Sequence, residues 1–186
     1  MKIEQYRWLD LLLLSIMAVG TEILGNWLFT QFPSAGFYIS FSMLIVIIAL
    51  FRWGSYGAIV SCLIAIPATL LSETVSIQLF LFYFISNSTV FMIPKIFRHI
   101  DNTLIVSKSY WFLGYIVSFY GVLTASRGLL GFLLGLSFSA TVMQTISQLL
   151  FSMIMSYLVL LLIKNREGLL TDMTVYFINE QKEIKE

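Results

Sequence analysis

Residues 35–71 read AGFYISFSMLIVIIALFRWGSYGAIVSCLIAIPATLL, and Arg52 is their only charged side chain. The stretch divides into two apolar segments, 35–51 and 54–71, on either side of Arg52 and Trp53. A transmembrane helix needs about 20 mostly apolar residues. Each segment is close to that length, so the stretch predicts two neighbouring membrane-spanning helices joined by a short turn.

The composition of the whole chain agrees with a location in a lipid bilayer. Of the 186 residues 59% are hydrophobic and 11% are charged, whereas soluble domains carry roughly 25% charged residues. So few charges cannot cover a water-facing surface, which excludes a soluble enzyme, a nucleic-acid-binding protein and a disordered chain. The net charge of +1, the single cysteine and the single histidine favour neither a polyanionic partner, a disulfide nor a metal site.

Four further apolar segments bring the expected number of transmembrane helices to six, and these are residues 11–29, 77–97, 110–126 and 138–163. The segment 77–97 is expected to kink or end near Pro94. The predicted fold is an all-α integral membrane protein, a compact bundle of six transmembrane helices that forms a single domain over residues 1–186 with a short tail, 164–186.

A glycine-containing stretch, residues 128–135, is interpreted separately from the sixth helix. Joined to it, the stretch would make a helix too long for a bilayer of about 30 Å. We therefore expect a loop or short helix at the outer mouth of the bundle, directly after Arg127.

Basic residues orient the bundle, because Lys and Arg concentrate in cytoplasmic loops. With a cytoplasmic N-terminus only Arg127 falls outside, and the other basic residues fall inside: Lys2, Arg7, Arg52, Lys95, Arg98, Lys108, Lys164, Arg166, Lys182 and Lys185. Both termini are therefore expected in the cytoplasm. The tail has more acidic than basic residues, so we expect it to cap the inner face of the bundle or contact a cytoplasmic partner rather than anionic lipid.

Polar side chains gather in the half of the bundle predicted to face outward. Glu22 and Asn26 share a face of the first helix, and an ionisable group within a span is a functional candidate. Aromatic side chains in the same half can stack on a ring. The candidate binding residues are Glu22, Asn26, Trp27, Tyr83, Asn87, Arg127, Gln144 and Gln148. The alternative is that these groups only bond neighbouring helices, with Arg127 neutralising Glu22 or Glu73.

Motifs of the common catalytic sites do not occur in the sequence. It contains no G-x-x-x-x-G-K-[ST], no H-E-x-x-H and no G-x-S-x-G. We therefore predict no enzyme activity, no catalytic residue, no cofactor and no energy source within the chain.

This combination resembles the S components of the energy-coupling factor (ECF) vitamin transporters. The resemblance covers nearly the whole chain and rests on architecture, and the nearest local similarity is the turn FRWGSYGA at residues 51–58. Members of that family often carry an Ala-x-x-x-Ala pair on the first helix that faces the partner transmembrane subunit. Here that region reads Ser15-Ile-Met-Ala18-Val-Gly20, which has small residues but departs from that motif. The resemblance implies a docking face around Ser15 and Ala18.

The resemblance implies a multi-pass subunit of a bacterial cytoplasmic membrane that captures a vitamin or precursor near the outer face. It would work with a transmembrane scaffold (T) subunit and two cytoplasmic ATPase subunits. The aromatic content of 16% favours a small heterocycle of the pyrimidine or pyridine type, such as a thiamin precursor or a vitamin B6 form. Two other functions stay open: a structural membrane protein of cell-envelope assembly and a self-sufficient small-solute carrier.

Overall fold

A computed structural model of the protein describes residues 3–31, 40–72, 74–164 and 168–183. Every regular element in these residues is helical: α1 (Ile3–Gln31), α2 (Ser42–Trp53), α3 (Ala58–Leu70), α4 (Ile77–Ser88), α5 (Ile93–Ile96), α6 (Asn102–Ser107), α7 (Ser109–Leu133), α8 (Phe138–Ile163) and α9 (Met173–Glu183). Short 3₁₀ turns, Gly54–Gly57 and Thr89–Met92, join α2 to α3 and α4 to α5.

Five segments of the described chain are long and apolar enough to cross a membrane: Ile3–Gln31, Ser42–Leu70, Ile77–Ile96, Ser109–Leu133 and Phe138–Ile163. The prediction of an all-helical chain with several helices of membrane-spanning length is therefore confirmed. The first helix begins earlier than residue 11, and the last long helix has the bounds expected from the sequence.

The segment Ser42–Leu70 turns back on itself between α2 and α3. Gly54 has a φ of 56°, in the region that favours glycine. Gly57 then lies so close to α2 that a Cβ at this position would be 2.5 Å from the carbonyl carbon of Ala49. In a continuous helix, residues with this sequence separation would be about 12 Å apart along the axis. α2 and α3 are therefore an antiparallel pair.

Two hydrogen bonds from α1 show which way α2 runs and define the two ends of the bundle. The carboxylate of Glu22 accepts from Ser42 at the start of α2, and the carboxylate of Asp10 accepts from Trp53 at its end. We call these the Glu22 end and the Asp10 end. α2 is buried along its length, with Arg52 as the exception, as expected for a helix that is apolar all round.

The chain then passes repeatedly between the two ends. α4 runs antiparallel to α3, since the Asn87 side chain donates to the Ser61 carbonyl and the Ser55 hydroxyl donates to the Phe91 carbonyl. The segment 77–96 changes to a 3₁₀ turn just before Pro94, whose ring cannot fit inside a regular α-helix. α7 and α8 form a second closely packed antiparallel pair.

The Asp10 end is held by a clamp that joins α1, α2 and the tail. Asp10 Oδ2 accepts from Arg52 Nε at 2.8 Å and from Trp53 Nε1 at 2.6 Å. Arg52 Nη1 also donates to the Gly168 carbonyl at 2.7 Å. Beyond Gly168, Leu170 and Met173 are buried in the main apolar core. The tail thus packs against this end of the bundle.

The prediction that residues 128–135 form a separate loop or short helix is wrong, because α7 continues through Leu133. Gly128 and Gly131 lie within this helix and face α8, where a Cβ would come within 2.6 Å of Val142 and 2.8 Å of Thr141, respectively. The helix ends at Leu133, and Gly135 just beyond it has a φ of 82°. The Leu136 N–H there closes the last turn by donating to the Gly131 carbonyl. The first two glycines therefore permit close packing, and only the third ends the helix.

We expect Gly57→Ala to lower the free energy of unfolding by about 1–3 kcal/mol, because the new methyl group would overlap the backbone of α2. The matched control is Gly121→Ala in α7, where no atom other than the adjacent backbone of its own helix lies within 4 Å of the added carbon. There the substitution should be neutral or stabilise by up to about 1 kcal/mol. Thermal unfolding midpoints in detergent measure both, and a Gly57→Ala protein as stable as wild type would contradict the close approach.

Candidate functional site

A cavity of about 430 Å³ lies at the Glu22 end of the bundle. Its walls come from α1, α3, α4, α7 and α8 and from the start of α2: Glu22, Asn26, Phe29, Ser40, Met43, Ile64, Ala68, Leu71, Ser72, Tyr83, Asn87, Arg127, Ser147, Gln148 and Leu149. The volume is within the range of roughly 300–1,000 Å³ that is typical of small-molecule sites. The mixture of apolar walls with a few polar groups is also typical of such sites.

Glu22 is buried in the wall of this cavity and is held by two serines. Its side chain is 8% exposed, and Oε2 accepts from the hydroxyls of Ser40 at 2.6 Å and Ser42 at 2.5 Å. The backbone N–H of Ser40 donates in turn to Ser152 Oγ at 3.0 Å. The carboxylate also faces the start of α2, where the helix dipole favours a negative charge. These contacts fix the position of the carboxylate relative to three helices.

Arg127 and Tyr83 form a second polar group in the cavity wall. The guanidinium carbon of Arg127 lies 5.4 Å from the centroid of the Tyr83 ring, within the range of a cation–π contact. Arg127 is 8% exposed and lies within α7. The prediction of Arg127 in an outer loop is therefore wrong, because α7 extends beyond it by nearly two turns.

Asn87 occupies the wall between α3 and α4. Its side chain is 1% exposed, and its Nδ2 donates to the Ser61 carbonyl oxygen at 3.0 Å. Because a carbonyl can only accept, this bond fixes which end of the amide points at α3. The other end of the amide, Asn87 Oδ1, therefore points away from the Ser61 carbonyl.

Six of the eight candidate binding residues line the cavity: Glu22, Asn26, Tyr83, Asn87, Arg127 and Gln148. Gln144 and Trp27 do not, and both side chains are exposed, Trp27 to 56%. On α8 the buried face carries Thr141 and Thr145, whose hydroxyls donate to carbonyls one turn back in the chain. Thr141, Gln144, Thr145 and Gln148 are spaced in the sequence as one helix face, whereas in the structure both threonines are buried and both glutamines are exposed.

The proposed docking residues Ser15 and Ala18 lie inside the bundle, at 6% and 0% exposure. The Ser15 hydroxyl donates to the Leu11 carbonyl of its own helix, and α1 packs along this face against α2 and α3. The expectation that these two residues face a partner subunit is therefore wrong for this chain. Their small size instead allows α1 to approach its own neighbours closely.

Ser40 and Ser42 were missed by the sequence reasoning, although they hold Glu22. Both lie within the apolar segment 35–51, where isolated serines usually bond their own backbone. The available signal was their spacing of two residues at the start of an apolar helix. Without knowing that α2 is antiparallel to α1, that spacing does not indicate a carboxylate partner.

A second and larger cavity of about 820 Å³ lies at the Asp10 end, between α6 and α9. The carboxylates in its wall are already engaged, since Asp101 accepts from the Thr103 N–H and Asp172 accepts from the Thr174 N–H. Both bonds cap the helices that follow. We therefore regard the cavity at the Glu22 end, where polar groups of several helices converge, as the candidate site.

Within the described residues, no group of three or more His, Cys, Asp or Glu side chains is placed to hold a metal ion. Comparison with protein-family models, with curated proteins and with solved structures finds no match for this chain.

Proposed function

We propose that this protein is the substrate-capture subunit of an ATP-driven ECF-type vitamin uptake transporter. It binds a small aromatic vitamin or precursor of the pyrimidine or pyridine type in the cavity at the Glu22 end. The observation that carries the proposal is the convergence of Glu22, Asn87, Arg127 and Gln148, from four different helices, on one cavity of a size typical of small-molecule sites.

The chemistry of the walls suits a flat ring with polar substituents. Glu22 accepts hydrogen bonds, while the amides of Asn26 and Gln148 both donate and accept. The Tyr83 ring offers a stacking surface, and Ile64, Leu149 and Met43 provide apolar contacts. A ring with amino, hydroxyl or ring-nitrogen groups satisfies this arrangement.

The proposed topology has six crossings, with both termini in the cytoplasm of a bacterium. The reversal at Gly54–Gly57 supports two passes within the single apolar segment Ser42–Leu70. Its helices α2 and α3 have 12 and 13 residues, fewer than the roughly 20 of a full span. The Asp10 end then faces the cytoplasm, because Lys95, Arg98, Lys108 and Lys164 lie there. The Glu22 end, with Arg127, faces outward, so that a ligand from outside reaches the cavity directly.

The proposed partners are a transmembrane T subunit and two cytoplasmic ATPase subunits, together with the surrounding lipid. This part rests on the architectural resemblance and on the lack of a nucleotide-binding loop in the sequence. Because Ser15 and Ala18 are buried, the contact with the T subunit lies on another face.

The site is tested by comparing two glutamines of one helix. We expect Gln148→Ala to weaken binding of pyridoxine or hydroxymethylpyrimidine by about 2- to 13-fold, since a hydrogen bond contributes about 0.5–1.5 kcal/mol net. The matched control is Gln144→Ala, one turn away and outside the cavity, which should bind as wild type does. Calorimetry on folded protein in detergent measures both affinities. Equal affinities of wild type, Gln148→Ala and Gln144→Ala would contradict binding in this cavity.

The topology is tested with single cysteines in a Cys62→Ala background. Thr74→Cys, beyond α3, should react with a membrane-impermeant maleimide in intact cells, and His99→Cys, before α6, should react only after permeabilisation. If residues 42–70 crossed the membrane once, both labelling results would be reversed.

The dependence on partners is tested in vesicles. The purified chain should bind the labelled vitamin but not accumulate it inside ATP-loaded vesicles, because it has no nucleotide-binding loop. Co-reconstitution with the T subunit and ATPase subunits should restore uptake. Accumulation against a gradient by this chain alone would contradict the proposal and favour a self-sufficient carrier.

A further inference from the structure

One buried acceptor in the cavity wall has no hydrogen-bond partner among the residues that the structure describes. Asn87 Oδ1 is shielded from solvent and receives no hydrogen bond within the part of the chain that the structure describes. Leaving such a group unsatisfied typically costs about 1–3 kcal/mol. Most buried polar side-chain atoms are paired for this reason, and an exception requires an explanation.

The orientation of the Asn87 amide is imposed by α3. Nδ2 is 3.0 Å from the Ser61 carbonyl oxygen, so rotating the amide by half a turn would bring two oxygens together. The Asn87 side chain therefore presents a fixed acceptor, with its donor end already in use. Asn87 is 1% exposed and lines the cavity at the Glu22 end, so a ligand bound there lies against this residue.

We infer that Asn87 Oδ1 is a specificity-determining acceptor, and that the ligand of this cavity carries an N–H or O–H donor directed at it. This inference rests on the proposed function and deepens it by stating what the ligand must present. With the Glu22 carboxylate in the same wall, the site offers two acceptors of fixed position. It selects rings with amino or hydroxyl substituents and disfavours analogues in which these groups are replaced by hydrogen, by a keto oxygen or by a carboxylate.

A buried amide gives strong selection because of an asymmetry in energy. A site built to pair a donor rejects an analogue without that donor, since its own acceptor is then left unsatisfied. Apolar walls such as Ile64 and Leu149 discriminate much less between rings of the same size. Asn87 is thus expected to set which ring is bound, while the apolar walls set how large the ring is.

The test is a cycle that removes the donor group of the ligand and the Asn87 acceptor separately. The probes are pyridoxine and hydroxymethylpyrimidine, each with analogues that lack one hydroxyl or amino group at a time. On wild-type protein one deletion should weaken binding by about 5- to 150-fold. On Asn87→Leu, which has no acceptor, the same deletion should have no effect.

The control is Ser86→Ala on the neighbouring position of α4. Ser86 is also buried but does not line the cavity, so its variant should keep the wild-type discrimination. If Asn87→Leu does not fold, Asn87→Ala replaces it in the same cycle. Equal losses in wild type and in the variant without an acceptor would overturn the inference and leave the proposed function intact. Failure of every probe to bind wild-type protein would overturn the proposed function and the inference together.

Discussion

The contact of Gly57 with the backbone of Ala49 and Leu50 is the constraint on which the arrangement of the other helices depends. Helices in lipid gain little from the hydrophobic effect when they associate, so close backbone packing has to hold them together. With no side chain at Gly57, α3 folds back directly onto α2. Further along α3, Ser61 and Ala65 are fully buried and maintain the close approach to its neighbours. α2 can then be enclosed on all sides.

The cavity at the Glu22 end follows from this arrangement. α1 and α2 are antiparallel, so Glu22 meets the two serines at the start of α2. α3 returns to the same end and brings the Ser61 carbonyl that orients Asn87. α7 and α8 pack tightly where Gly128 and Gly131 face α8 and contribute Arg127 and Gln148 to the opposite wall. Each polar group therefore comes from a different helix, and the spaces between the helices form the cavity.

The helices could be predicted from the sequence because each is a long apolar run, and a polar backbone in lipid has few alternatives to a helix. The candidate residues Glu22 and Asn87 were also accessible, since an isolated polar group in such a run is noticeable. What the sequence did not contain was the rotation of each helix. Gln144 and Gln148 are one turn apart, chemically identical and both exposed, yet only Gln148 lines the cavity, because the rotation of α8 against its neighbours decides which side chain reaches it. Ser15 and Ala18 show the same limit, since small residues permit close packing against either a partner or the chain itself.

The clamp at the opposite end has a mechanical consequence for the cavity. Asp10, Arg52, Trp53 and the Gly168 carbonyl tie three segments together by charge-assisted hydrogen bonds, which are stronger than those between neutral groups. Glu22 lies just over three helical turns from Asp10, about 18 Å along α1. A tilt of α1 by one degree about its clamped end would therefore move the Glu22 carboxylate by about 0.3 Å. A tilt of a few degrees would be enough to make or break a hydrogen bond at the Glu22 end while the contacts of Asp10 are kept.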